Sequence, residues 1–398
     1  MKYSNLPHRN CPVCDGAPSS PLYQQHFSSI SENNDLLTGY SVTTCSECGM
    51  AYADHIPHKE VFDRYYCENS KYEYSHNNGV SINHDHVFKQ IAEFIESQIS
   101  DKNLKILDIG CSTGQLLNQL KKRGFSNLHG VDPSPNCAKF AQENFGLNVN
   151  QGSFASLSRV NDQKYDLLIL MGVIEHIVDF SEVFSVFQNL LLNGGKVLVG
   201  APNAGQFQQF MNAPFQQFSV EHINFFTDES LQNLMNHNGF ESQKSLETAF
   251  EYSKGTKEPV LLGLYRKGSI QPITREQKSR KSIAEYVDIC QRIEDEISQK
   301  ISEYVTKNQP IVVWGTGTHT LHLLESSSLA QATIHAFIDS NPKFTGETIN
   351  NVPIYTPDKL KNYDCPILIS SRFYQNEIAT TIRNDLQLSN EIITLYEL

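Results

Sequence analysis

The chain contains, at residues 105–114, the run Lys105-Ile106-Leu107-Asp108-Ile109-Gly110-Cys111-Ser112-Thr113-Gly114. A short apolar stretch ends in an acid, small residues follow, and an amphipathic segment from Leu116 to Leu120 comes next, which predicts a strand, a tight turn and a helix. Small residues let a ligand approach the backbone closely at the start of such a helix. Val131-Asp132 ends a second strand 24 residues after Asp108. An acid at that point suits a ribose with two free hydroxyls, so we expect a nucleoside ligand.

Length and composition set the outer limits. The chain has 398 residues, which favours two or three domains, and its 39% hydrophobic and 19% charged content is typical of a folded protein. The net charge of −12 disfavours a nucleic acid as partner. No apolar run approaches the roughly 20 residues needed to cross a bilayer, and the first residues show no signal-peptide core. We therefore expect a cytoplasmic protein without a membrane partner, in which cysteines are mostly reduced.

Four of the nine cysteines form two pairs near the start of the chain. Cys11-Pro12-Val13-Cys14 and Cys45-Ser46-Glu47-Cys48 are separated by 30 residues. Each pair fits a tight turn that directs two thiolates at one ion, and two such turns make a closed tetrahedral site. The pattern predicts a structural Zn²⁺ held by Cys11, Cys14, Cys45 and Cys48, which would supply folding energy to a small module. The alternative is four unrelated reduced cysteines.

Residues 104–268 alternate between apolar runs and amphipathic segments, which indicates a mostly parallel sheet covered by helices on both faces. The predicted helices include Glu182–Leu192 and Ser230–Asn238. The predicted strands are Lys105–Ile109, Leu128–Val131, Asp166–Met171, Lys196–Ala201 and Val260–Arg266. Ligands of such sheets bind at the carboxyl ends of the strands, where Asp108, Asp132 and residues 171–176 are expected to lie.

The remaining segments predict two further units. Residues 270–308 carry apolar positions with charges between them, which predicts one or two connecting helices. Residues 309–398 begin a second alternating unit, with a glycine turn at Trp314-Gly315-Thr316-Gly317 and an acid, Asp339, 24 residues after Gly315. Thr320 replaces the third glycine of a dinucleotide fingerprint, so a scaffold that helps to hold a nucleotide-bearing substrate is favoured over true dinucleotide binding.

The loop after the first central strand distinguishes two nucleoside ligands. NAD requires G-x-G-x-x-G spacing, whereas Gly110, Ser112 and Gly114 form G-x-S-x-G. That loop, together with Asp132, the segment from Gln151 to Phe154 and the Glu-His pair within Tyr165–Ile177, resembles the class I methyltransferases, which bind S-adenosylmethionine. The resemblance covers about residues 85–265. It implies a donor site formed by Asp108, Gly110, Ser112, Gly114, Asp132, Pro133, Phe154 and Met171.

Ionisable pairs provide candidate bases. Glu221-His222 precedes Ile223-Asn224-Phe225-Phe226 and follows the predicted strand Lys196–Ala201, at the end of which an acceptor would bind. A carboxylate beside a histidine can orient the ring, and His176 is a second candidate. The structural alternative is a locally paired Glu221 and a His222 that only packs in the core.

The order of the three parts resembles one family, the sugar C-methyltransferases that act on nucleotide-linked 4-keto-deoxy sugars. The resemblance implies that His222 removes the proton beside the keto group with Glu221 at its side, and that His176 and a tyrosine lie near the sugar. Tyr72 is the first choice for that tyrosine, Tyr74 the next, and Tyr65 and Tyr66 belong to the same aromatic segment. The C-terminal segment Ile338–Gly346 departs from the best-known members, which leaves the substrate open.

The predicted architecture is α/β: a Rossmann-like methyltransferase domain flanked by a zinc-binding module and a Rossmann-like C-terminal domain. The predicted bounds are 1–75 for the zinc module, 76–270 for the methyltransferase domain, 271–308 for the helical linker and 309–398 for the C-terminal domain. Two other functions remain open. They are O-methylation of a sugar or small metabolite, and a binding platform built on a non-catalytic methyltransferase fold.

Overall fold

The computed structural model describes residues 6–28, 36–68, 82–158, 163–253 and 255–396, and these residues form three β-sheets. The strands are β1 (Tyr23–His26), β2 (Gly39–Thr44), β3 (Ala51–Asp54), β4 (Lys105–Ile109), β5 (Asn127–Asp132), β6 (Asn148–Gln151), β7 (Tyr165–Met171), β8 (Leu191–Pro202), β9 (Asn224–Phe225), β10 (Phe240–Ser253), β11 (Thr256–Lys267), β12 (Ile311–Trp314), β13 (Ile334–Ile338), β14 (Thr348–Ile349), β15 (Val352–Tyr355), β16 (Ile367–Ile369) and β17 (Ile392–Thr394).

Helices connect and cover these strands. They are α1 (Lys59–Glu68), α2 (Ile82–Gln98), α3 (Gln115–Lys122), α4 (Pro135–Phe145), α5 (Phe154–Leu157), α6 (Ser181–Leu190), α7 (Asp228–His237), α8 (Lys278–Thr306), α9 (Thr318–Ser326) and α10 (Gln375–Thr380). Across the described residues, none of the helices combines the length and apolar character that crossing a membrane demands.

The central sheet has seven strands in the order β10-β11-β8-β7-β4-β5-β6. The five strands from β8 to β6 are parallel, whereas β11 pairs antiparallel with both β8 and β10. The chain runs outward from β4 to β6 and then crosses to β7, so the order reverses between β4 and β7. A ligand crevice is expected at the carboxyl ends of the strands beside such a reversal. The predicted Rossmann-like α/β class is confirmed.

The sequence predicted β4 with its observed bounds but missed β6 and β10. Both are edge strands, and β6 exposes three of its four residues. An edge strand buries too little apolar surface to produce the continuous hydrophobic run that marks a central parallel strand. Of the one or two connecting helices that the sequence predicted, the structure has one, the continuous 29-residue α8.

The N-terminal sheet has the order β1-β2-β3-β9 and is antiparallel throughout. Its last strand comes from Asn224–Phe225, directly after the Glu-His pair. The backbone N–H of Ala53 in β3 also donates to the carbonyl of Ile223 at 2.9 Å. The cysteine-bearing part of the chain is therefore joined by backbone hydrogen bonds to the segment that follows Glu221-His222.

The C-terminal sheet has the order β14-β15-β13-β12-β16-β17, and only β14 is antiparallel. The helix α8 leads into it and packs on the central domain, where Tyr286 contacts the rings of Phe207 and Phe218. A buried contact joins α8 to α9, since Glu294 Oε1 lies 2.8 Å from His322 Nε2. The predicted Rossmann-like C-terminal unit is present, whereas the exact domain bounds remain a prediction.

Candidate active site

The glycine turn after β4 brings the backbone close to the crevice. Gly110 has a φ of 77°, and a Cβ at this position would lie 2.5 Å from the side chain of Val173. Only glycine fits both the left-handed backbone and this close approach. Ser112 also has a positive φ, and its buried hydroxyl has no hydrogen-bond partner among the described residues. The turn thus presents a polar group that a bound ligand can satisfy.

The carboxylate of Asp132 fixes this turn against β5. Its Oδ2 accepts a hydrogen bond from the Ser112 N–H at 2.8 Å, and its Oδ1 accepts one from the Ser134 N–H at 2.9 Å. The N–H groups of Gly110 and Cys111 donate to the carbonyl of Val131 at 2.8 and 3.1 Å. Asp132 therefore both organises the turn and faces the cavity beside it.

Asp108 lies at the same strand ends but inside the protein. Only 2% of the residue is exposed, and burial followed by the nearby charge of Asp132 raises the pKa of its carboxyl to about 8. Transfer of a carboxylate into a low-dielectric interior penalises its charged form. Asp108 is therefore mostly protonated at neutral pH.

A cavity of about 440 Å³ opens beside the turn, a size typical of sites for small molecules and cofactors. Five of the predicted donor residues line it: Gly110, Ser112, Asp132, Pro133 and Phe154. Both Glu221 and His176 also lie on its wall.

Four predicted residues are not among the described residues that line this cavity, namely Asp108, Gly114, Met171 and His222. The Met171 side chain packs against Gly200 of the neighbouring strand, where an added Cβ would meet its Cε at 2.2 Å. Gly172 and Val173 line the cavity where Met171 was expected. Gly114 packs instead against Leu147 and Ala141.

Two loops that are distant in sequence meet at the cavity. The first contains a short 3-10 helix, Ile174–His176, and the second carries Glu221-His222. The Ile223 N–H donates to the carbonyl of Glu175 at 3.0 Å, and His176 Nδ1 donates to the carbonyl of Glu221 at 2.9 Å. The rings of His176 and His222 contact each other edge to face, with centroids 5.1 Å apart. The two candidate histidines and the buried Glu221 thus form one cluster.

The helix α1 supplies the tyrosines of this cluster. The Tyr65 hydroxyl donates to Glu221 Oε1 at 3.0 Å, and the Tyr66 ring lies edge-on to His176 at a centroid distance of 5.6 Å. Lys59 at the start of α1 is 3.3 Å from Glu182 of α6, which holds the helix against the cavity. Tyr72 and Tyr74, the first choices from the sequence, lie outside the described residues.

Arg9 is a feature of the site that the sequence did not reveal. Its guanidinium donates to the carbonyls of Ile177 and Val178 on one active-site loop, at 3.2 and 3.0 Å, and to that of Ile223 on the other, at 3.2 Å. Burial lowers the pKa of this guanidinium to about 10, which still leaves it charged at neutral pH. A single arginine before a cysteine pair carries no pattern that would have indicated this role.

The four predicted zinc ligands also come together. The Sγ atoms of Cys11 and Cys48 are 3.5 Å apart, those of Cys14 and Cys45 are 3.3 Å apart, and all four lie within 4.8 Å of one another. Zn–S bonds of about 2.3 Å place tetrahedral sulfurs about 3.8 Å apart, so a small expansion accommodates the ion. A Cβ on Gly16 would lie 2.9 Å from the Cys45 sulfur, so this position leaves no room for a side chain. The donor set fits a closed zinc site.

Comparison with known proteins agrees with the central fold. Residues 83–245 match a family described as a methyltransferase domain, and residues 307–394 match one described as C2185-like, N-terminal. The glycine turn and the strand order of the central region agree with this match to a methyltransferase domain.

Curated relatives match part of this region. A ubiquinone biosynthesis O-methyltransferase of Rickettsia prowazekii is 32% identical over 119 residues, which is 28% of this chain and 46% of that protein. The Coxiella burnetii protein of the same name is 31% identical over 115 residues, 28% of this chain and 49% of the relative. The chain spans about half the length of these relatives.

Solved structures are similar over a comparable region. A magnesium protoporphyrin IX methyltransferase from Synechocystis, solved with bound S-adenosylhomocysteine, is 13% identical with a TM-score of 0.39 and covers 52% of this chain and 100% of its own. An S-adenosylmethionine-dependent methyltransferase from Clostridium acetobutylicum is 17% identical with a TM-score of 0.35, covering 53% and 97%.

Proposed function

We propose that this protein is an S-adenosylmethionine-dependent methyltransferase that adds a methyl group to a carbon of a nucleotide-linked 4-keto-deoxy sugar. The observation that carries the proposal is the meeting of Glu221, His222, His176 and Tyr65 beside the cavity that the glycine turn forms. The order of the cysteine module, the methyltransferase domain and the Rossmann-like domain supports the sugar substrate through the family resemblance.

The residues around the cavity fit the methyl donor. Asp132 faces the cavity for the ribose, Ser112 offers an unpaired buried hydroxyl, and Phe154 offers an apolar wall for the base. The bound donor supplies a methyl group on a sulfonium, which needs no base for its own activation. The protein must therefore align an acceptor and, where the acceptor holds its proton tightly, remove that proton.

The histidine cluster can perform that removal. The keto group acidifies the proton on the adjacent carbon, and His222 takes this proton while the electron pair moves into an enolate. The enolate carbon then forms a C–C bond with the methyl group as the bond between that methyl and the sulfonium sulfur breaks. The donor is left as a neutral thioether. His176 already donates its Nδ1 proton to a carbonyl, so the neutral ring presents Nε2 as an acceptor. Tyr65 fixes the carboxylate of Glu221.

The cysteine cluster plays a structural part in this proposal. Four thiolates leave no open position for a substrate or water, so the zinc they bind would act in folding. The sheet that it stabilises includes β9, which begins two residues after His222, and Asp54 of its strand β3 accepts a hydrogen bond from the Arg9 N–H. The zinc module would thereby keep the active-site loops in place.

O-methylation of a sugar or other small metabolite is the second candidate. The curated relatives are named O-methyltransferases, and a base beside a hydroxyl would use the same cluster of side chains. A binding platform without catalytic activity would not bind the methyl donor. Calorimetry with S-adenosylhomocysteine therefore distinguishes such a platform from a methyltransferase.

Deuterium exchange separates carbon from oxygen as the acceptor. The protein is incubated in D₂O with a panel of nucleotide-linked 4-keto sugars in the absence of methyl donor, and exchange at the carbon beside the ketone is followed by NMR. Enolate chemistry predicts exchange that His222→Ala abolishes and that His237→Ala, a change at an exposed histidine of α7, preserves. Methylation of these sugars without any such exchange would favour oxygen as the acceptor.

A further inference from the structure

Three more metal-ligating side chains meet at the end of β3, outside the cysteine cluster. His8 Nδ1 is 2.7 Å from Asp54 Oδ2, and His55 Nδ1 is 3.5 Å from the same oxygen. One ligand atom from each residue lies within 4.8 Å of the other two, and the imidazole centroids are 4.5 Å apart. His55 Nδ1 also lies 3.3 Å from the hydroxyl of Ser41.

Backbone donors hold the central carboxylate of this cluster. Asp54 is buried, and its Oδ1 accepts hydrogen bonds from the N–H groups of Arg9 at 2.6 Å and His55 at 2.8 Å. This arrangement leaves Oδ2 as the oxygen that faces both imidazoles. Hydrogen bonds of this kind orient carboxylate ligands in metal sites.

The backbone of His55 adds an independent observation. Its φ of 59° lies in the left-handed region, which residues other than glycine seldom adopt. Such conformations persist where surrounding structure enforces them, and they cluster at ligand-binding positions. Here the conformation lets His55 direct both its N–H and its ring at Asp54, the residue that precedes it.

We propose that His8, Asp54 and His55 bind a divalent transition metal such as Zn²⁺. Two imidazoles and one carboxylate are typical zinc ligands, and three protein ligands leave a position for water. Ligand bonds of about 2.0–2.2 Å place tetrahedral ligand atoms about 3.3–3.6 Å apart, which the His55–Asp54 distance already satisfies. The distance of 2.7 Å between His8 Nδ1 and Asp54 Oδ2 is too short for two ligands of one ion. The His8 side chain is 68% exposed, so it can move outward and lengthen this distance.

The position of this site gives it a consequence for the active site. Arg9 follows His8 and extends its guanidinium to the carbonyls of both active-site loops. A metal bound by His8 and by the end of β3 would anchor the segment that carries Arg9. The site therefore links the N-terminal segment to the geometry of the histidine cluster.

Metal titration of the full chain tests the proposal. Co²⁺ is added to protein whose cysteine site has been loaded with Zn²⁺, and its binding is followed by calorimetry and by visible absorption. The wild type is expected to bind one further Co²⁺ with weak d–d bands and without the intense thiolate charge-transfer bands of a cysteine site. His8→Ala should weaken this binding about tenfold or more, since even the loss of an outer-shell partner costs about 10–100-fold.

His58→Ala is the matched control, because His58 is exposed and lies three residues after His55. It should bind Co²⁺ as the wild type does, and His8→Ala should keep the fold because its side chain is largely exposed. Binding that His8→Ala leaves unchanged, no Co²⁺ beyond the zinc already present, or the appearance of thiolate bands would each overturn the proposal. Metal counting needs no methyl donor, so this result is independent of the proposed reaction.

Discussion

His176 Nδ1 donates a hydrogen bond to the backbone carbonyl of Glu221 at 2.9 Å. A carbonyl oxygen only accepts, so this contact places the proton of a neutral imidazole on Nδ1 and leaves Nε2 as a proton acceptor. Glu175 Oε1 is 3.8 Å from that Nε2. One backbone contact thus determines both the position of the ring and the nitrogen that can act.

The first prediction concerns His222. His222→Ala should lower kcat by about 10²–10⁴-fold, the usual contribution of a positioned general base, and should leave S-adenosylhomocysteine affinity unchanged. Steady-state kinetics with calorimetry on the same preparations gives both quantities. His237→Ala should match the wild type in each. If His222→Ala kept full turnover, His222 would not be the base, and His176 would be the remaining candidate.

A second prediction tests the contact between Tyr65 and Glu221. Tyr65→Phe removes a hydrogen bond to a carboxylate, worth about 1.5–3 kcal/mol, so kcat should fall roughly 10–100-fold while the KM for the methyl donor stays the same. Tyr304→Phe removes a comparable hydrogen bond to Glu391 on the C-terminal side and serves as the control. Equal kinetics for the two variants would show that Tyr65 has no part in turnover.

The raised pKa of Asp108 predicts a dependence of stability on pH. Burial raises this pKa from 3.8 to about 8, so between these values the folded chain binds a proton that the unfolded chain releases. The free energy of unfolding therefore falls as the pH rises through this range. Asp108→Asn lacks the titrating group. Its free energy of unfolding, relative to that of the wild type, should therefore be higher at about pH 8.5 than at pH 5.

Urea unfolding of both proteins at the two pH values measures this difference. Other groups titrate in both proteins, so the comparison isolates the contribution of Asp108. A stability difference between the variant and the wild type that is the same at both pH values would contradict a raised pKa.

The fourth prediction concerns the cysteine cluster. Cys45→Ala should lose bound zinc and the cooperative unfolding of the N-terminal sheet, since the binding energy of a structural zinc is folding energy. Cys365→Ala changes a half-buried cysteine of the C-terminal domain and should keep both properties. Zinc analysis and thermal unfolding provide the readouts. A soluble Cys45→Ala protein of normal stability and zinc content argues against structural zinc.

Local sequence was sufficient for the buried strand β4 and for the turn that follows it. The run Lys105–Ile109 is apolar because β4 is buried between neighbouring parallel strands, and Gly110 marks the turn because no Cβ fits there. Each cysteine pair was equally clear, since its spacing of three residues directs two sulfurs at one point. These features depend on residues that are close together in the chain.

Contacts between distant segments could not be predicted in the same way. Tyr65 and Glu221 are 156 residues apart, and Arg9 and Ile223 are 214 apart. Which of two adjacent tyrosines meets the cavity depends on how α1 docks, and the helix pattern does not encode that. Met171 was expected at the donor because it ends a strand, yet its side chain packs over Gly200 instead.

The donor site permits the most direct test, because a second carboxylate in the chain has the same backbone contacts. Asp132 accepts from the N–H groups of Ser112 and Ser134, and Asp339 accepts from those of Thr316 and Asn341, at 2.8–3.0 Å in every case. Replacement of either aspartate therefore disturbs an equivalent turn. Only Asp132 faces the cavity of the central domain.

Calorimetric titration with S-adenosylhomocysteine compares Asp132→Ala, Asp339→Ala and the wild type. We expect the wild type and Asp339→Ala to bind one molecule with equal affinity, and Asp132→Ala to bind about 5–150-fold more weakly, which corresponds to a loss of about 1–3 kcal/mol. No binding by the folded wild type, or equal affinity in all three proteins, would contradict a methyl-donor site at Asp132.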